Sequence, residues 1–70
     1  MLIRTQNGKM YLNSSTVKSF EVDAISGLFV LATLNEPGNG VVLGHYKTRE
    51  ETEQQLNNLC SEIDKVYNMP

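Results

Sequence analysis

The segment LFVLATLN, residues 28–35, limits the possible folds of this chain more than any other stretch. It is apolar at nearly every position, whereas a strand with one buried face alternates apolar and polar residues. The pattern therefore predicts a strand that is covered on both faces. A single helix covers only one face of an antiparallel sheet, so the other face of this strand needs a second cover.

The next predicted strand is VVLGHYK, residues 41–47, which returns after the loop EPGNG at 36–40. Gly38 and Gly40 suit the turn, and Gly44 is expected to permit close packing beside Ala32. No helix N-terminus and no Gly-Lys-Ser/Thr sequence follows these glycines, so they do not predict a phosphate-binding loop. A five-residue loop predicts these opposed pairs: Val42 with Leu34, Gly44 with Ala32 and Tyr46 with Val30 on one face, and Leu43 with Thr33 and His45 with Leu31 on the other.

The stretch LIRTQNGKMYL, residues 2–12, predicts a first hairpin. Asn7 and Gly8 supply the two positive-φ residues that a type I′ turn requires. A two-residue loop then sets the register, with opposed pairs Ile3 and Leu12, Thr5 and Met10, Arg4 and Tyr11, and Gln6 and Lys9.

A helix is predicted to start after Thr48. Glu51 follows Thr48 by three residues, which is the spacing of a capping box, and the acidic Glu50 and Glu51 suit the positive end of a helix. The helix is predicted to run to about Asn68 with one apolar stripe. The stripe consists of Thr52, Leu56, Leu59, Cys60, Ile63, Val66 and Tyr67.

Together these segments predict one α+β domain over residues 1–70. Residues 1–47 are expected to form a four- or five-stranded antiparallel sheet, made of the two hairpins and a middle strand TVKSFEV at 16–22 that places Phe20 and Val22 on one face. Residues 48–68 are expected to form one C-terminal amphipathic helix packed on one face of the sheet. The strand order, and which face the helix covers, stay open.

An apolar patch is expected to remain on the uncovered face of this sheet. It consists of Phe29, Leu31, Leu43 and His45 or, on the other face, of Val30, Leu34, Val42 and Tyr46. Such a patch marks an interaction surface, most simply of a two-fold homodimer, or otherwise one that binds a host protein. A 70-residue chain whose only cysteine is Cys60 has no internal disulfide to stabilise it, which also favours association. In the competing interpretation, residues 13–27 fold over the second face.

A second hypothesis concerns the polar side of the first hairpin. Arg4, Lys9 and Tyr11, beside Gln6, could neutralise and stack against single-stranded nucleic acid. The net charge of −2 and the acidic helix argue against a dedicated nucleic-acid binder. The second hypothesis is therefore limited to an accessory protein that binds nucleic acid, as the alternative to the interaction module.

No constellation of residues predicts an enzyme, a metal site or a cofactor. Cys60 and His45 are the single cysteine and histidine, which is too few for a zinc site within one chain. Cys60 lies in the predicted apolar stripe, where a thiol acts as a small core residue. The acids have simpler roles at the helix start and on its solvated face.

The sequence favours a cytoplasmic protein. A lone cysteine suits a reducing compartment, and MLIRTQNGK has no apolar core of signal-peptide length. The longest purely apolar run, LFVLA at 28–32, is far shorter than the roughly 20 residues of a membrane-spanning helix, so no membrane span is expected.

The stretch VVLGHYKTREETEQQLNNLCSEI and the opening MLIRTQNGK carry a resemblance. They are similar to short proteins of Gram-positive bacteria and their phages or mobile elements that end in V-L-G-x-Y-x-T-x-E-E-x-x-x-x-L-x-x-I. The resemblance implies a β-rich sheet with a C-terminal helix and a bacterial or phage origin, and it implies no activity. Thr52 occupies a position where that group more often has Ala.

Overall fold

The computed structural model describes residues 1–35, 40–62 and 66–70, and within them the chain is an α+β fold. Its elements in chain order are β1 (Leu2–Arg4), β2 (Tyr11–Asn13), a short 3-10 turn (Ser14–Thr16), β3 (Val17–Val22), β4 (Phe29–Leu34), β5 (Gly40–His45), α1 (Arg49–Ser61) and β6 (Val66–Asn68). The described strands form two three-stranded sheets. We call the sheet of order β2-β1-β6 the mixed sheet and that of order β3-β4-β5 the antiparallel sheet.

The expectation of one sheet of four or five strands is wrong. The first hairpin does not pair with the middle strand, because β1 pairs in parallel with β6 at the other end of the chain, and Ile3 lies opposite Tyr67. The N-terminal and C-terminal segments thus build a separate small sheet that packs on the other one. Residues 17–22 form a strand beside β4 rather than a cover over it.

The first hairpin has the predicted register but a different turn. Ile3 lies opposite Leu12 as expected. Gly8 has φ 72°, but no described residue other than glycine has positive φ, so Asn7 does not adopt the type I′ conformation. The Asn7 side chain instead accepts hydrogen bonds from the Thr5 hydroxyl at 2.8 Å and from the Lys9 N–H at 2.9 Å. Such local side-chain bonds offer the turn an alternative backbone path, and the Gln6–Lys9 pair is lost.

Helix α1 begins where it was predicted and ends earlier. The Thr48 hydroxyl accepts a hydrogen bond from the Glu51 N–H at 3.1 Å, which confirms the N-cap. The helix ends at Ser61 with Glu62 as its C-cap, so the extension to Asn68 is wrong. Val66 and Tyr67 form a strand instead, which suits β-branched and aromatic side chains.

The predicted apolar stripe of the helix is narrower than expected. Thr52 and Leu59 are buried, Leu56 is partly buried, and Cys60 is exposed. Cys60 lies about 80° around the helix from Thr52 at 100° per residue, which places it at the edge of the contact with the sheets. The interpretation of Cys60 as a core residue is therefore wrong. Ile63 lies outside the described residues.

The core lies between the two sheets and the helix. Within β4, Val30 and Ala32 have no exposed surface, whereas Phe29 and Leu31 on the opposite face remain partly exposed. Strand β4, which was expected to be covered on both faces, is thus fully covered on one face only. The buried apolar residues are Ile3, Leu12, Val30, Ala32, Leu43, Tyr46, Leu59 and Met69.

The register of β4 and β5 differs from the prediction by three residues near the turn, where Thr33 lies opposite Gly40 rather than Leu43, and a β-bulge at Leu43 reduces the difference to two residues at the other end of the strands. Val30 lies opposite Gly44 rather than Tyr46, and Leu31 lies opposite Val42. The extra residue, Leu43, makes two neighbours in sequence face the core, since both Leu43 and Gly44 are buried. The observed pairs are Phe29 with His45, Val30 with Gly44, Leu31 with Val42, Ala32 with Val41 and Thr33 with Gly40.

Candidate interaction surface

The outward side of the antiparallel sheet carries a strip of apolar side chains. We call Phe29, Leu31, Val42 and His45 the open face. Phe29 and His45 are cross-strand neighbours, as are Leu31 and Val42, so all four lie on the same side of the sheet. Val42 is 53% exposed, His45 is exposed, and Phe29 and Leu31 are partly exposed. The open face is an apolar surface on a strand pair whose other side is the core.

The rings of Phe29 and His45 stack on each other at the end of the open face. Their centroids are 4.4 Å apart and their planes differ by 15°. Stacked aromatic pairs with this separation hold both rings in one orientation. The imidazole of His45 therefore packs on the Phe29 ring while it remains exposed to solvent.

Polar side chains of β3 and β4 border the open face on the side away from β5. Glu21 lies opposite Leu31, and its carboxylate accepts a hydrogen bond from the Thr33 hydroxyl at 3.0 Å. Beyond the end of β3, the Asp23 carboxylate accepts bonds from the N–H of Ser26 at 2.9 Å and from its hydroxyl at 2.7 Å. The backbone bond from Ser26 is the largest cause that holds the pKa of Asp23 below its ordinary value. The open face thus has an acidic border along β3.

Three of the four residues predicted for the interface lie together on the open face. These are Phe29, Leu31 and His45, whereas Leu43 is 1% exposed and belongs to the core. The β-bulge is the reason, because it turns Leu43 inward and places Val42 beside Leu31. In the other predicted set, Val30, Leu34, Val42 and Tyr46, only Val42 is exposed.

Gln6 closes the outer edge of β5. Its backbone N–H donates to the carbonyl of Leu43 at 2.8 Å. Its side-chain Oε1 accepts from the N–H of His45 at 2.8 Å, and its Nε2 donates to the carbonyls of His45 and Pro70, each at 3.0 Å. The backbone groups of His45 that point away from β4 therefore have partners. Sequence analysis missed this role because Gln6 is 39 and 64 residues away from its partners.

The other edge of the antiparallel sheet is the outer side of β3. The register with β4 shifts between Val17 and Ser19, which leaves Lys18 at a β-bulge with an exposed side chain. A bulge and a lysine on an edge strand both hinder the addition of another strand. Neither edge is thus a regular, flat template for pairing.

The residues of the nucleic-acid hypothesis lie on the mixed sheet. Arg4 and Tyr11 are cross-strand neighbours on its outer side, and Tyr11 is 57% exposed. Lys9 is exposed in the hairpin turn, and the Arg4 guanidinium lies over Gly8 in the same turn. The structure therefore places Arg4 and Tyr11 side by side, while Gln6, their predicted neighbour, is engaged with β5.

The groups considered for catalysis and metal binding are not brought together. His45 lies on the open face, while Cys60 belongs to α1, whose Leu59 packs in the core on the opposite side of the sheet. Among residues 1–35, 40–62 and 66–70 there is no cluster of three His, Cys, Asp or Glu side chains that could hold a metal ion. No helix in the same ranges is long and apolar enough to span a membrane.

A shallow depression lies near the end of β4, away from the open face. It has a volume of ≈ 410 Å³ and is lined by Ser15, Thr16, Leu34 and Asn35. These residues supply hydroxyl, amide and aliphatic groups and no charge. Among the described residues, therefore, none that lines the depression carries a charge that could neutralise a ligand.

Compared with families of proteins, with curated proteins and with solved structures, the chain matches none of them. No relative therefore lends its activity to this chain, and the surface chemistry is the basis for a functional proposal.

Proposed function

We propose that this protein is a non-enzymatic interaction module of the cytoplasm, of bacterial or phage origin, that self-associates as a two-fold homodimer. The open face is the contact surface. The observation that carries this proposal is the exposure of Val42, at 53%, directly beside the partly exposed Leu31 on a strand pair that is otherwise core. Burying these side chains against a second copy supplies the cover that the sheet lacks.

Association through the face is favoured over association through an edge. Gln6 occupies the carbonyl of Leu43 and the outward N–H and carbonyl of His45 on β5, and the bulge at Lys18 interrupts β3. A face-to-face contact needs neither edge. The two open faces would bury Phe29, Leu31 and Val42 at their centre, with the borders at Glu21 and His45 left near solvent.

The size of the open face sets the expected affinity. The two strands that carry it, of six residues each, cover about 20 Å by about 10 Å, whereas a stable interface buries about 800 Å² on each partner. The open face is smaller than that standard. The dimer is therefore expected to be weak and concentration-dependent, with monomers prevailing in dilute solution.

Sedimentation of the chain over a range of concentrations tests the proposal. The expected result is an average mass that rises towards two chains at high concentration. Val42→Asp should abolish this rise, because a charge would be buried at the centre of the contact. Val66→Asp is the matched control, since Val66 is 47% exposed on the mixed sheet, away from the open face. Equal effects of both variants, or a mass of one chain throughout, would refute the proposal.

Nucleic-acid binding is the second candidate function, favoured by the juxtaposition of Arg4 and Tyr11. A guanidinium beside an exposed phenol ring offers one phosphate contact and one stacking platform. Titration of a short single-stranded oligonucleotide at low salt should shift the amide signals of Arg4, Lys9 and Tyr11. Binding that survives Arg4→Ala with Tyr11→Ala, or no binding at low salt, would eliminate this candidate.

A further inference from the structure

The Gln6 side chain replaces a neighbouring strand at the edge of β5. The N–H of Tyr46 donates to the carbonyl of Leu28, just before β4, at 2.8 Å. The backbone N–H of residue 46 therefore points towards the β4 side of the strand. By the alternation of an antiparallel ladder, the N–H and carbonyl of His45 point outward. Gln6 meets both of these groups, as the peptide unit of an adjacent strand would.

The orientation of the Gln6 amide follows from its partners. The N–H of His45 needs an acceptor, and the carbonyls of His45 and Pro70 need donors. Only one placement of Oε1 and Nε2 satisfies all three. Both amide protons, the amide oxygen and the backbone N–H of Gln6 are then used.

The C-terminal segment holds Gln6 in place. The carbonyl of Pro70 accepts from Gln6 Nε2 at 3.0 Å and from the Tyr46 hydroxyl at 3.2 Å. The N–H of Met69 donates to the carbonyl of Arg4 at 3.0 Å, and the Met69 side chain is 5% exposed in the core. The hairpin that carries Gln6 is thus attached to the core from the C-terminal side.

We propose that Gln6 is an edge guard that prevents a second copy of the chain from adding its own β5 to this sheet. An edge strand with free N–H and carbonyl groups is a template for pairing with another chain. With Gln6 in place, that template is occupied at Leu43 and His45. Removal of the guard opens the edge, and two copies join β5 to β5 in an antiparallel pair. This role does not rest on association through the open face.

The test uses the full chain with Leu31→Asp, which removes association through the open face first and places the charge on β4 rather than on β5 itself. Gln6→Ala is then added, and Gln54→Ala serves as the control. Gln54 is an exposed glutamine on α1 that donates to Asn58 at 2.9 Å. Amide hydrogen exchange of His45 and the average mass are measured at low and high concentration.

With Gln6→Ala, the His45 amide is expected to exchange about tenfold faster at low concentration, as for the loss of one hydrogen bond. At high concentration the mass should rise and the His45 amide should become protected again. A chain that stays monomeric at all concentrations overturns the proposal, and so does association that leaves His45 unprotected. The Gln54→Ala control should show neither change.

A second measurement does not depend on how well the Gln6→Ala variant folds. In the chain with Leu31→Asp alone, the side-chain amide protons of Gln6 should exchange more slowly than those of Gln54. Gln6 donates both of its amide protons to backbone carbonyls, whereas Gln54 makes one bond to Asn58. Equal exchange rates would show that Gln6 does not hold the edge closed.

Discussion

The ring of Tyr46 lies across the backbone of Gly44, two residues earlier in the chain. A Cβ atom added to Gly44 would lie 2.8 Å from Tyr46 Cζ and 2.9 Å from Cε2, closer than such atoms approach in proteins. Gly44 is thus closely packed as expected, but its expected neighbour Ala32 is wrong, because Tyr46 packs on it and Val30 lies opposite. The absence of a side chain at Gly44 is what allows Tyr46 to reach the core and donate to Pro70 at 3.2 Å.

Gly44→Ala should therefore destabilise the protein by about 1–3 kcal/mol, the usual cost of overpacking a core. Gly40→Ala is the matched control, because the nearest atom of the described residues to its added Cβ, the carbonyl oxygen of Ala32, would lie 3.7 Å away. That change should stay within about 0.5 kcal/mol, as for other surface substitutions. Chemical denaturation followed by circular dichroism gives both values. Similar losses for the two variants would contradict the packing of Tyr46 on Gly44.

Val42 and Leu43 provide a direct test of the β-bulge. Leu43→Ala should cost about 2–5 kcal/mol of unfolding free energy, because Leu43 is 1% exposed and its removal leaves a cavity. Val42→Ala should cost about 0.5 kcal/mol or less when measured on the dilute chain. Denaturant midpoints compare the two. If Val42→Ala lowers the unfolding free energy more than Leu43→Ala does, then Val42 rather than Leu43 faces the core, and β5 has no bulge.

The start of α1 depends on the Thr48 hydroxyl. Thr48→Ala removes the acceptor of the Glu51 N–H and should lower stability by about 1 kcal/mol. Ser61→Ala at the opposite end of the helix is the control, since its exposed hydroxyl only donates back to the Asn58 carbonyl. Thermal unfolding should separate the two variants. If they unfold at the same temperature, the cap is not what starts the helix.

Stability should fall at alkaline pH because of Tyr46. Burial, followed by the charges of Tyr67 and Glu51, raises the pKa of Tyr46 above its ordinary value. The folded state thus favours the neutral phenol, so the contribution is complete below the unfolded pKa of about 10 and is lost as pH rises through the folded pKa. Tyr46→Phe should weaken this pH dependence. Part of the loss of stability at alkaline pH should remain in this variant, because burial also raises the pKa of Tyr67.

Unfolding free energies measured between neutral pH and about pH 11 check the Tyr46 prediction. Tyr11→Phe controls for the loss of one tyrosine, because Tyr11 is exposed on the mixed sheet. The prediction fails if the chain and the Tyr46→Phe variant lose stability in parallel as the pH rises.

Features that depend on near neighbours in the chain could be predicted from the sequence. The register of Ile3 with Leu12 follows from a short turn, and the helix start follows from Thr48 and Glu51 three residues apart. The strand segments around Phe20, at 28–35 and at 41–47 were also placed correctly to within one or two residues. In each case the residues that decide the structure are close enough in sequence to interact before the rest of the chain folds.

The open face was predicted in part. Phe29, Leu31 and His45 alternate regularly enough to share one side of the sheet, and they do. The exchange of Leu43 for Val42 was not predictable, because no local pattern in VVLGHYK marks a β-bulge. The carbonyl of the extra residue, Leu43, accepts a hydrogen bond from the N–H of Gln6 at 2.8 Å, a contact between segments far apart in sequence.

By itself, therefore, the sequence determined the α+β class, the first register, the helix cap and the apolar strands. The tertiary structure alone decided that Val66 and Tyr67 leave the helical pattern to pair with β1, and that Gln6 closes β5. The apolar spacing of residues 66 and 67 suits a helix and a strand equally, so local preference could not choose between them. That choice depends on partners more than 60 residues away, Leu2 and Ile3, which come into reach only when the chain has folded.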